Sequence, residues 1–131
     1  MANKLKLGII GMSEGNGHPY SWSAIFNGYN KSEMAKCPFP QIFKYLSKEN
    51  YPKNFLSHLG EVSHIWTQDF KLSNQIALAA NISNVCIEME EMIGKVDAVL
   101  LARDDAENHY KNSILFLKVG LPIYIDKPFA L

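Results

Sequence analysis

LKLGIIGMSEGNGHPYSW, residues Leu5–Trp22, is the stretch that decides the fold. Leu5, Leu7, Ile9 and Ile10 read as a short apolar strand over about residues 5–10. Gly8, Gly11, Gly15 and Gly17 crowd the strand's end and the turn that follows, and Pro19 sits well as an early helix residue. A strand that runs through a glycine-rich turn into a helix is how α/β proteins build a phosphate site. The glycines let backbone approach the anion, and N–H groups at the helix start point towards it. The dinucleotide fingerprint G-x-G-x-x-G is not met. Counting from Gly11, Ser13 and Asn16 stand at the second and third glycine positions.

Outward from that stretch, strand and helix signals alternate. Trp22, Ile25 and Phe26 share a helix face that stops near Gly28, with Trp22 read as core. Residues 29–40 read as a loop with Pro38 and Pro40 as punctuation, 41–49 as a short helix, and 50–60 as irregular. A second strand is expected over 62–67 and a helix over 72–80 ending at Asn81. A short third strand follows at 85–87, then about one and a half helical turns over 88–93. VDAVLLA, 96–102, is an apolar run suited to a strand buried on both faces. Asp105 is placed to cap the next helix, Gly120 to end it, and 121–125 to form a fifth strand. Five such alternations predict one α/β domain: a doubly wound parallel sheet, Rossmann-like and three-layered, in strand order 3-2-1-4-5. Ligands of such sheets bind beyond the C-terminal strand ends, here the loops 11–18, 67–71, 103–109 and 126–128.

Composition narrows the partners. The 131 residues suffice for one cored domain, and 47% apolar with 20% charged residues is the balance of a globular chain. Thirteen basic and thirteen acidic residues cancel, which disfavours a nucleic-acid partner. No run reaches the length of a membrane span, and the N-terminus lacks the features of a signal peptide. Cys37 and Cys86 form no C-x-x-C pair and no zinc-type cluster, so no metal is expected. Both read as reduced thiols of a cytoplasmic protein, with Cys37, beside Pro38, a candidate for exposure.

GIIGMSEGNGH, VDAVLLARDDAENH and the terminal GLPIYIDKPFAL occur together in this order. In combination they resemble the N-terminal half of the glucose–fructose oxidoreductase / inositol dehydrogenase (Gfo/Idh/MocA) family, over nearly the whole chain. The family usually has Glu-Lys-Pro after its fifth strand, where this chain has Asp126-Lys127-Pro128, and a His shortly after its fourth strand, where this chain has His109. The resemblance implies a domain that binds NAD or NADP. In the full-length family protein a second α/β domain completes an oxidoreductase acting on a sugar, cyclitol or similar polyol. Its implied cofactor contacts are Gly11, Met12 and Ser13 at the pyrophosphate, Thr67 and Asp69 at the adenosine ribose, and Ala102, Arg103, Asp104 and His109 on the nicotinamide side, with Asp126, Lys127 and Pro128 closing it. Lys127 is the implied catalytic residue. A Lys in a partly desolvated pocket can carry the proton that accompanies hydride transfer, with Asp126 setting its charge.

Each of these residues also has a plainer structural role open to it. Asp69 serves equally as the N-cap of a helix starting near Phe70; as a ribose ligand it disfavours a 2′-phosphate and so favours NAD. Arg103 pairs either with a phosphate or with Asp104. His109 on a first helical turn is more often structural. His18, Tyr20 and Trp22 follow the glycine loop and are candidates to line the cofactor pocket.

Three departures from the family stand out. The glycine loop is altered. Asp69 lies 52 positions after Gly17 rather than about 20, which marks 29–60 as an insertion. The chain stops where the family continues into a sixth strand and the second domain, as a fragment, a shortened piece or a short natural protein would. The isolated 131 residues are expected to be inactive, and an unpaired edge after the fifth strand to favour homo-oligomers. The rival expectation is a non-catalytic nucleotide-binding or protein-interaction module, with Tyr29, Phe39, Phe43, Tyr45 and Tyr51 of the insertion making the contact.

Overall fold

The structure is a computed structural model and describes residues 3–130. Five strands, β1 (Leu5–Ile10), β2 (Gly60–Trp66), β3 (Asn84–Val85), β4 (Ala98–Leu101) and β5 (Ile123–Ile125), form one parallel sheet in the order β3-β2-β1-β4-β5. The helices are α1 (His18–Asn27), α2 (Lys31–Met34), α3 (Pro40–Leu46), α4 (Phe70–Ala79) and α5 (His109–Lys118), with 3₁₀ turns at Met89–Met92 and Ala106–Asn108. The predicted alternation and strand order are therefore those of the molecule.

The crossovers place α1 and α4 on one face of the sheet and the Met89–Met92 turn and α5 on the other, as the right-handed rule for parallel connections requires. Each face has its own core. Tyr20, Ala24, Ile65 and Ile76 belong to the first, and Ile10, Met92, Leu101 and Phe116 to the second. Gly8 makes the second core possible: a Cβ there would lie 2.5 Å from the Met92 sulfur, so the bare strand admits the Met side chain.

Several local expectations change. The 29–40 stretch contains α2, because Asn30 caps it by accepting the Glu33 N–H at 3.1 Å. Residues 29–60 are also no surface appendage, since Met34, Leu46 and Phe55 are buried in the first core. Cys37 is buried rather than exposed. Trp22 is only partly buried and stacks on His18 with ring centroids 4.7 Å apart; Tyr20 takes the core position instead. The apolar run 121–125 yields just three strand residues with Tyr124 65% exposed, the burial of an edge rather than a centre. Asn81, at φ 55°, ends the α4 region as expected.

Candidate functional site

The C-terminal ends of the five strands open onto one crevice. Its two halves differ in how much polar chemistry the chain consumes internally.

At the ends of β1, β4 and β5 most polar side chains have an internal partner. Arg103, 8% exposed, grips Asp105 through Nε at 3.0 Å and Nη2 at 2.6 Å. Its Nη1 donates to the Gly11 carbonyl at 3.2 Å and to Gln68 Oε1 at 2.9 Å. The expected partners were Asp104 or a phosphate. Asp105 wins because its carboxylate offers a two-toothed fit to the guanidinium, and with that it gives up the expected helix cap. The Arg103 hydrogen bonds hold the Asp105 carboxyl below its ordinary range against the opposing effect of burial. Asp104 instead accepts the Ser13 hydroxyl at 2.6 Å and returns its own N–H to Ser13 Oγ at 3.0 Å. Gln68 acts as a strand partner for Met12, accepting its N–H at 3.0 Å and donating to its carbonyl at 2.7 Å. Sequence reasoning missed Gln68; an amide directly after an expected strand was the available signal.

The start of α1 is similarly occupied. Asn16 Oδ1 accepts the His18 N–H at 2.9 Å, Pro19 has no N–H, and the Tyr20 and Ser21 N–H groups return to the Gly17 carbonyl. The helix therefore offers no orphan donors in its first turn. Gly11 and Gly17 are glycines for packing reasons: a Cβ would meet Pro19 Cγ at 2.4 Å and Ile42 Cδ1 at 2.5 Å respectively. The backbone N–H groups of Ser13, Glu14, Gly15 and Gly17 are those in the loop without a partner among the described residues.

At the end of β5, Asp126 is 6% exposed. Its Oδ2 receives Asn16 Nδ2 at 2.9 Å and His18 Nδ1 at 2.6 Å, and its Oδ1 the Lys127 N–H at 2.9 Å. Burial would raise this carboxyl, but the hydrogen bonds and charge from Asn16, His18 and the Lys127 N–H outweigh it and leave it below its ordinary range. Asp126 thus serves His18, and not the charge of the Lys127 side chain as expected. Lys127 is exposed, outside any desolvated pocket within this chain, and its bond to Pro128 is cis. His109 is 2% exposed, with Nδ1 2.8 Å from the Phe129 carbonyl and Nε2 2.6 Å from the Arg103 carbonyl. It ties the Lys127–Phe129 tail to the end of β4 and, engaged at both nitrogens, presents no free ring atom. Ala102 is fully buried beneath it all, its N–H on the Ile10 carbonyl.

The ends of β2 and β3 are open by comparison. Thr67 is 4% exposed, and its hydroxyl joins Ser73 Oγ at 2.7 Å and the Asp69 carbonyl at 2.7 Å, which fixes the turn. Asp69 caps α4 through Oδ1, accepting the N–H groups of Lys71 at 2.9 Å and Leu72 at 3.4 Å. Its side chain is exposed, and Oδ2 has no protein partner among the described residues. Beside it lies a slot of about 300 Å³ lined by Trp66, Gln68, Phe70 and Ile87. Phe70 and Ile87 are 54% and 69% exposed, so the slot presents two apolar side chains to solvent. Among the described residues no three His, Cys, Asp or Glu side chains gather as a metal site, and no helix is long and apolar enough to cross a membrane.

No protein-family model matches the chain, and no curated protein sequence matches it. Solved structures do share its fold. A UDP-N-acetylglucosamine 3-dehydrogenase from Acidithiobacillus ferrooxidans superposes with a TM-score of 0.62 at 12% identity, over 99% of this chain and 32% of that one. A myo-inositol 2-dehydrogenase from Lactobacillus plantarum gives 0.58 at 16% identity over 98% and 30%. A 3-ketoreductase from Actinomadura kijaniata, solved with TDP-benzene and NADP, gives 0.57 at 16% identity over 98% and 30%. This chain spans about a third of the length of these neighbours. They are oxidoreductases of the kind the sequence resemblance names, and what the likeness shows is the Rossmann-like fold.

Proposed function

We propose that this chain is the nicotinamide-dinucleotide-binding domain of an oxidoreductase of the Gfo/Idh/MocA kind, acting on a sugar, cyclitol or similar polyol. The observation that carries the reading is the carboxylate of Asp69, half-unpartnered at the end of β2 and next to a slot with two exposed apolar side chains. The crevice location is where doubly wound sheets bind dinucleotides. Adenine would lie between Phe70 and Ile87, with its ribose hydroxyls on Asp69 Oδ2. Asp69 repels a 2′-phosphate, so NAD is favoured over NADP. The pyrophosphate would rest on the free amides of Ser13, Gly15 and Gly17, because the first turn of α1 is spent and Arg103 is already neutralised. Ala102, Asp104 and His109 would form the floor on the nicotinamide side, with Lys127 and Pro128 at its rim. The bound cofactor supplies hydride chemistry; the chain orients it and holds a proton-carrying group beside it. Lys127 would be that group once a second domain buries it.

With these 131 residues alone we expect binding without turnover, in a cytoplasmic protein that self-associates through the β5 edge, where Tyr124 and Phe129 are exposed. A second reading, a protein-interaction module, draws on Tyr45 and Tyr51, each about half exposed on the 29–60 segment. Calorimetric titration with NAD⁺, NADH, NADP⁺ and NADPH separates the two. Saturable binding of the NAD pair, with the preference over NADP lost in Asp69→Asn, supports the cofactor reading. Asn keeps the helix cap while removing the charge. Absence of binding by all four refutes it for this chain.

A further inference from the structure

His18 and Asp126 form a pair that the reading above leaves unused. His18 Nδ1 lies 2.6 Å from Asp126 Oδ2, and the carboxylate is buried and further anchored by Asn16. An ionised carboxylate makes Nδ1 the protonated nitrogen, so Nε2 is left as the acceptor and has no protein partner among the described residues. Trp22 stacks on one face of the ring at 4.7 Å and is itself braced edge-on by Tyr124 at 5.6 Å, while Asp126 anchors Nδ1, so the imidazole is oriented although its side chain stays 41% exposed. An oriented, partly accessible imidazole with one free nitrogen is the arrangement of a proton acceptor.

His18 also forms one end of a groove of about 460 Å³ between α1 and α3. Trp22, Ile25, Phe39, Ile42 and Tyr45 line it with Ser21 and Gln41, so it is a shallow, solvent-open groove whose walls are mainly apolar and aromatic. Lys127 follows Asp126 directly, which sets the groove's His18 end at the nicotinamide side of the crevice as proposed above.

We infer that His18, oriented by Asp126, is a proton-transfer residue for a secondary hydroxyl, or the corresponding ketone, of a sugar or polyol that carries an apolar or aromatic substituent, and that this substituent lies in the groove between α1 and α3. This rests on the oxidoreductase reading, deepens it at the substrate, and moves the proton-accepting role proposed above for Lys127 to His18, leaving Lys127 as a charge at the rim. In the oxidative direction the alcohol O–H bond breaks and its proton goes to Nε2. The hydride leaves the same carbon for an oxidised nicotinamide, and the products are a ketone, a reduced nicotinamide and an imidazolium. The reductive direction is the reverse.

The test is NMR titration of the ¹⁵N-labelled chain with 1-phenylethanol and with acetophenone, with no dinucleotide present. The His18 Nε2 resonance should move saturably, and Trp22→Ala should weaken binding about tenfold. The two probes should respond oppositely to pH. The alcohol donates to a neutral ring, so it binds better as the imidazole deprotonates; the ketone needs a protonated ring and binds worse. Asp126 is the charged group against the ring, the exposed Lys127 follows it, and Tyr45 is the remaining titratable group of the groove walls. In Asp126→Asn, which keeps the shape but not the charge, the proton preference for Nδ1 should fade. No saturable shift at His18 up to the solubility limit, or the same pH trend for both probes, overturns the inference. Failure here leaves the dinucleotide titration untouched, and failure of that titration leaves these shifts to be seen.

Discussion

The two halves of the crevice are built from the same kind of element, a parallel strand running into a helix, yet they are finished differently. At the ends of β2 and β3 the protein leaves a carboxylate oxygen and two apolar faces to solvent. At the ends of β1, β4 and β5 it closes Arg103 on Asp105, Ser13 on Asp104, and Asn16 with His18 on Asp126. The closed half uses its side chains to fix the loops relative to one another, and leaves the N–H groups of Ser13, Glu14, Gly15 and Gly17 and the Nε2 of His18 unpaired among the described residues. The open half keeps its interaction free energy for a ligand.

If that contrast is right, breaking the closed half should damage stability and breaking the open half should damage binding. Arg103→Met is the most severe test. It leaves Asp105 partly buried without its partner and severs the ties to Gly11 and Gln68, a loss of about 3–5 kcal/mol in urea unfolding. A loss under about 1 kcal/mol would mean the network is ornamental.

Asp126→Asn should remove about 1–3 kcal/mol at neutral pH, since charged hydrogen bonds are the stronger kind. Here the sign of the pH dependence is fixed. The folded-state pKa values of Asp126 and Asp105 are both depressed, so their stabilisation is full above the unfolded carboxylate value of about 3.9 and drains away as pH falls through the folded values. Stability of the native chain should therefore drop more steeply in acid than that of an Asp105→Asn, Asp126→Asn double variant.

In the open half, Asp69→Ala should cost about 1 kcal/mol through the lost cap, and Asp69→Asn close to nothing, while both weaken NAD. Phe70→Ser sharpens the contrast most cleanly. Its exposed ring should leave thermal stability within about 0.5 kcal/mol yet reduce dinucleotide affinity in the same calorimetric titration.

Much of the architecture could be read along the chain, because strand and helix periodicities are local and their alternation implies the topology. The Asp69 cap of α4 was readable for the same reason: Asp69 and the N–H groups it accepts lie within three residues of one another. The closed half was not. Asn16 and Asp126 are 110 positions apart, and Ser13 and Asp104 are 91 apart, so no spacing announces either pair. Arg103 was read with its neighbour Asp104, but chain adjacency points the two side chains apart while Asp105 comes round to the guanidinium. Helical spacing with Ile25 and Phe26 puts Trp22 on the core face, and it does pack against the first core, but only partly buried. Its outer side meets Tyr124 of β5, which is an edge strand with Tyr124 exposed.

Gly17 has one further consequence. It lets Phe39 and Ile42 sit directly on the backbone where the loop turns into α1, within 3 Å of where a Cβ would be. Side chains packed directly on a backbone transmit displacement rather than absorb it. The segment carrying α3 is therefore a lever on the loop: whatever tilts α3, a ligand in the groove or a protein resting on Tyr45, would also move the amides of residues 13–17 and the ring of His18. Adding even one methyl group at Gly17 would jam that lever before it touched any ligand.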